Sequence, residues 1–125
     1  MLLAAWTWCA LGIALGFAAY LAKAEWIPAE WYRLSAPHRH MLLVGFLLQW
    51  ICAVAYWIYP GVRDRLDRAA AEFTWWMLNG GTLLRAMGEG TNLPRLGAMG
   101  AGLQATGAIV FIVLVAFRRL GGLKL

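Results

Sequence analysis

The chain has 125 residues, of which 62% are apolar and 14% charged, and its mean hydropathy is +0.64. That is too apolar for a water-soluble domain of this size, so composition assigns the chain to the membrane. At about 20 apolar residues per span there is room for four spans with short loops, which excludes a soluble catalytic domain. It also excludes a nucleic-acid binder, although the net charge of +5 and pI near 9.8 would otherwise suit one.

The first span is expected from about Leu2 to Ala22, with a polar segment, Lys23 to Arg39, after it. No positive charge precedes this apolar run. It is therefore read as a span rather than as a signal peptide ending at Ala22-Lys23-Ala24. Gly12 and Gly16 give it a GxxxG spacing that lets another helix approach closely, as in ordinary packing within one bundle. The second span is expected from about Ala36 to Tyr59, where Pro60-Gly61 stops it and a charged loop, Val62 to Arg68, follows. A third and weaker span, about Ala69 to Gly88, contains Glu72, Asn79 and Arg85. Its polar residues argue that it faces protein or cofactor rather than lipid. The loop Glu89 to Arg95, with Pro94, closes it. The fourth span, about Leu96 to Phe117, carries Gly97, Ala101 and Ala105 at the small-residue spacing.

Eight tryptophans suit a chain with many helix ends at a membrane interface. Cys9 and Cys52 fall inside apolar runs at unrelated spacing, so neither a disulfide framework nor a CxxC site is indicated. The middle loop and the C-terminal tail hold Arg63, Arg65, Arg68, Arg118, Arg119 and Lys124. Against these six stand five on the other side: Lys23, Arg33, Arg39, Arg85 and Arg95. The balance favours both termini in the cytoplasm, as for a multi-pass protein of a bacterial-type inner membrane.

The chemistry concentrates in Ser35-Ala36-Pro37-His38-Arg39-His40, which holds the only two histidines. Ser35 is a candidate N-cap, and proline is tolerated in a first turn, so both histidines are expected to be helical. At about 100° per residue they point to nearly opposite sides of one helix and bind one metal badly. No cysteine or carboxylate lies nearby to complete a zinc site. On spacing alone the pair reads equally as two interfacial histidines.

The longer pattern, His38-x-His40 followed by Leu42, Gly45, Tyr56-Trp57 and Pro60, resembles the tenth helix of heme-copper oxidase subunit I. Phe73, Trp75-Trp76, Asn79 and Gly81 are similar to that family's next helix with a shift of a residue or more, so the resemblance runs over roughly Pro37 to Gly88. It implies an all-α membrane protein of four transmembrane helices, a heme-copper-oxidase-like four-helix unit, in which His38 and His40 ligate heme iron on two sides of one helix. The helical geometry agrees independently, because residues about 200° apart serve two sites naturally. The departures matter as well. No third histidine exists for copper, and Glu72 stands near the place of a family histidine. The resemblance therefore implies heme b without copper, and an electron carrier in preference to an oxygen or nitric oxide reductase. No catalytic residue is identified.

A bis-histidine heme needs imidazoles on both porphyrin faces, and one helix cannot supply both to one iron. The second ligand must come from another copy. The family's subunit is built as three pseudo-symmetric arcs of four helices, and this chain resembles one arc. A ring of three copies with one heme per chain is expected, with a dimer as the alternative. Heme propionates are expected to meet Arg85 first, with Arg39, Arg33 and Arg95 also on the outer face. A quinol or a redox protein would be the electron partner. The competing reading is a non-redox membrane subunit or a heme-handling assembly factor.

Overall fold

In a computed structural model, the backbone is described for residues 1–58 and 65–121 and the side chains for 1–58 and 68–116. Among the described residues there is no strand, and four long helices account for nearly all of the chain. The first, α1, spans Leu2–Lys23. The second is composite: a 3-10 turn at Ala29–Leu34, α2 at Ser35–His40, a π-helical segment at Met41–Leu48, and α3 at Gln49–Ile58. Then come α4, Arg65–Gly90, and α5, Pro94–Gly121.

Three of these are long and apolar enough to cross a membrane: Leu2–Lys23, Ala29–Ile58 and Pro94–Ala116. This agrees with an integral membrane protein. The expected third span falls in α4, which does not qualify on those criteria because charged residues such as Arg68, Glu72, Arg85 and Glu89 are spread along it. α4 lies between the composite helix and α5, and its contact with α5 is the most extensive among the described residues, while Arg68, Glu72, Phe73, Trp76, Leu83 and Met87 along it stay exposed.

Several sequence boundaries move. The composite helix starts at Ala29, inside the segment read as polar loop, because the residues after Pro28 tighten into a 3-10 turn that runs straight into α2. Ser35 is not a cap. Leu34 holds that position, no side chain caps the helix, and the Ser35 carbonyl instead accepts a hydrogen bond from Arg39 Nε at 3.2 Å. The expected charged loop ends early, since α4 is already helical from Arg65. The stop at Pro60-Gly61 lies outside the described residues. Glu89 belongs to α4, which runs on to Gly90, and Pro94 opens α5 rather than closing α4. Proline fits there because a first-turn N–H has no partner in a helix anyway.

The two turns at this end share one device. After α1, the amide of Trp26 bonds the Leu21 carbonyl at 3.0 Å and Glu25 sits at φ 62°. After α4, the amide of Leu93 bonds the Gly88 carbonyl at 2.8 Å and Asn92 sits at φ 58°. Both are Schellman turns with a left-handed residue that is not glycine.

The helices follow one another in space in chain order: α1 packs on the composite helix, the composite helix on α4, and α4 along α5. Small residues make the contacts close. A Cβ on Gly12 would lie 2.8 Å from Leu42 Cδ2, and one on Gly45 would lie 2.7 Å from Trp8 Cγ. Between α4 and α5, a Cβ on Gly100 would come within 2.5 Å of the Arg85 amide nitrogen, and Gly88 meets the backbone of Gly97. This is how membrane helices associate when lipid is as apolar as the side chains.

The interior is correspondingly small and polar. Buried apolar side chains include Ala5, Ala19, Ala22, Cys52 and Leu78, while Gln49, Thr74, Thr82 and Gln104 are also buried. Large apolar side chains from Leu3 to Ile112 lie outside. A soluble domain shows the reverse.

Candidate functional site

The histidine pair sits where the composite helix leaves its 3-10 turn, and α2 is regular α-helix through both residues. His38 turns toward α1. Its Nδ1 lies 2.8 Å from the Gly12 carbonyl oxygen. A carbonyl only accepts, so Nδ1 is the donor, and in the neutral imidazole this leaves the lone pair on Nε2. No described residue bonds that Nε2. The ring occupies the space beside Gly16, where a Cβ would lie 2.5 Å from both Cε1 and Nδ1. The GxxxG pair of α1 thus does pack within one bundle, and one of its glycines receives an imidazole.

His40 turns toward α4. Its Nε2 is 3.1 Å from Glu89 Oε1. The same oxygen accepts from Arg85 Nε at 3.0 Å, one helical turn earlier. Arg85 Nη1 reaches Gln104 Oε1 on α5 at 3.4 Å, Gln104 Nε2 donates to Thr82 Oγ1 at 3.1 Å, and Thr82 closes the chain on the Leu78 carbonyl at 2.7 Å. A connected polar network therefore runs from the histidine inward along α4. A separate bond, Trp8 Nε1 to Asn79 Oδ1 at 2.8 Å, ties α1 to α4.

The two histidines face different neighbours, as helical spacing requires. Their environments are unlike. His38 Nδ1–H donates to a backbone carbonyl, the arrangement that orients a metal-binding imidazole and leaves Nε2 for the metal. His40 spends Nε2 on a carboxylate. Among the described residues no group of three His, Cys, Asp or Glu side chains could hold a metal ion.

Of the arginines expected near a propionate, Arg39, Arg33 and Arg95 are exposed at this end of the helices. Arg85 is partly covered and already paired with Glu89, whose negative charge offsets it. Beside the pair lies a cavity of about 560 Å³ lined by Arg85, Glu89, Asn92, Ala36 and glycines of α4 and α5. Oε2 of Glu89 is buried and has no hydrogen-bond partner.

Sequence reasoning missed Glu89, Gln104 and Thr82. Glu89 was assigned to a loop, yet its spacing of four from Arg85 is the helical ion-pair signature. Gln104 carried no signal of its own, since its role depends on how α5 docks.

No protein-family model, curated protein or solved structure matches this chain.

Proposed function

We propose that the chain is a small membrane b-type heme protein that carries single electrons, with His38 and His40 as axial ligands contributed at interfaces between copies. The observation that carries this reading is the His38–Gly12 hydrogen bond, which fixes the tautomer and leaves Nε2 unpartnered for iron. Heme, when bound, would supply one-electron iron chemistry, and the chain's residues would supply ligation and a low-polarity setting.

The donor set fits one axial ligand per chain as it stands. His40 becomes a second only when its Nε2 leaves Glu89, whose Oε1 would then keep only its existing bond from Arg85. Two further features support the reading. The helices form a row in chain order, as expected of one arc of a heme-copper-oxidase-like unit. Large apolar side chains also cover the outer faces, where other copies and a porphyrin would be buried favourably.

A second reading follows from His40. Its ion pair with Glu89 ties the composite helix to α4, and a membrane subunit without redox chemistry needs no more of it than that.

The test is spectroscopic. Protein purified from heme-sufficient cells should show a Soret band and a pyridine hemochrome of heme b, and His38→Ala should lose the low-spin spectrum. A colourless wild-type preparation overturns the cytochrome reading and leaves the structural one.

A further inference from the structure

The opposite end of the helix row carries a second cavity, of about 620 Å³, between the start of α1, the end of α3 and the first half of α4. Its volume lies within the usual range for small-molecule sites, about 300–1,000 Å³. The walls are apolar and aromatic, with Leu2, Leu3 and Ala53 beside Tyr56, Trp57 and Trp75. Two rings are held from behind. Tyr56 packs edge-on against Phe111 at 5.5 Å between centroids, and Trp75 against Trp76 at 4.6 Å. Trp57 is 84% exposed and forms the free outer wall.

Glu72 is the one acidic side chain in this lining. Arg68 stands four residues before it on α4, yet the two form no ion pair, and neither has one with any other described residue. Arginine preceding glutamate at this spacing is the less favourable order for a helical pair. An exposed carboxylate with no counter-charge among the described residues thus stands at the rim of an aromatic cavity.

We propose that this cavity binds a lipophilic organic cation, with the Glu72 carboxylate as counter-charge and Trp57, Trp75 and Tyr56 supplying ring faces. The chemistry selects that class. An inorganic cation would need several oxygen ligands, and one carboxylate among indoles does not provide them. A weakly hydrated cation with an apolar body loses little on leaving water. It gains the ring quadrupoles, the carboxylate charge and burial of its body against Leu2, Leu3 and Ala53. An anion of the same shape would gain only the burial. This inference does not depend on heme.

The probe is tetraphenylphosphonium, measured by equilibrium dialysis against the detergent-purified full chain, with tetraphenylborate as its charge-reversed isostere. Wild type should bind it saturably at one per chain, with quenching of tryptophan fluorescence. Glu72→Gln should weaken binding by about tenfold, and Glu72→Asp should recover part of the loss. Trp57→Ala, which removes an exposed ring, should weaken it several-fold without changing thermal stability. Glu30→Gln, an exposed carboxylate on the 3-10 turn at the other end of the helices, should leave binding unchanged. Equal uptake of tetraphenylborate, full binding by Glu72→Gln, or loss of binding in Glu30→Gln would each overturn the assignment.

Discussion

His38 and Gly16 form one steric unit. A single added methyl at Gly16 would lie 2.5 Å from Cε1 and Nδ1 of the ring, while the same Nδ1 lies 2.8 Å from the Gly12 carbonyl. Gly16 thus fixes the depth at which the imidazole seats, and the Gly12 carbonyl fixes which nitrogen donates.

Gly16→Ala should therefore push His38 out of register with Gly12. Overpacking of this kind costs about 1–3 kcal/mol. The diagnostic pairing is with His38→Ala: if the two residues act as one unit, Gly16→Ala should cost almost nothing in the His38→Ala background, because the methyl then has room. Equal costs of Gly16→Ala in both backgrounds, measured by unfolding in detergent, would show that the clash lies elsewhere.

A second expectation concerns Glu89. Its Oε1 is the common acceptor for His40 and Arg85, so Glu89→Gln replaces an anion by an amide beside a guanidinium that is only 28% exposed. Fully buried pairs lose about 3–5 kcal/mol when one partner goes, and fully exposed pairs about 0–1 kcal/mol. The partial cover here places the loss near 2 kcal/mol. Arg85→Gln should rescue much of it, giving a favourable coupling in a double-mutant cycle. Additive losses would mean that the two groups do not sense each other.

The two Schellman turns give a prediction of the opposite sign. Glu25 and Asn92 occupy left-handed backbone, which costs an ordinary L-residue about 1–2 kcal/mol and asparagine less. Glu25→Gly should stabilise the chain by roughly 0.5–1 kcal/mol, since glycine removes that cost but has more unfolded-state entropy to lose. Asn92→Gly should gain less. A destabilised Glu25→Gly would mean that the side chain contributes more than its backbone conformation costs.

What the sequence disclosed depended on whether its signal was local. Apolar length located α1, the composite helix and α5, because a run such as Leu2 to Ala22 needs no partner to be recognised. The opposite orientation of His38 and His40 was also legible, because α2 is regular helix and 3.6 residues per turn settles it. The ends were not. Without glycine after Ala24 or Thr91, only Asn92 hinted at a Schellman turn, and Pro94 opens a helix rather than ending one. The π-helical stretch Met41–Leu48 has no compositional mark beyond Gly45, whose contact with Trp8 exists only once α1 has docked. The network from His40 to Thr82 crosses from the composite helix to α4 and α5, so its members lie too far apart in sequence for spacing to join them. Only the Arg85–Glu89 step was local enough to read.

The last prediction is the stoichiometry of the proposed cytochrome. One chain offers two imidazoles, a six-coordinate heme consumes two, and the two of one helix point apart and cannot share an iron. A ring that closes therefore binds one heme per chain whatever its size, whereas a dimer built on one shared pair binds half as many. The unlike settings of the histidines add a further expectation. His38 keeps Nε2 unpartnered, but His40 must first release Glu89, so Glu89→Gln should ease heme uptake while lowering the stability of the heme-free chain. Mass measurement of the solubilised complex together with a pyridine hemochrome assay checks the ratio, and heme titration of wild type against Glu89→Gln checks the release step. A monomer that keeps low-spin heme would defeat the ligand count, and a variant that takes up heme less readily than wild type would show that Glu89 supports His40 as a ligand instead of restraining it.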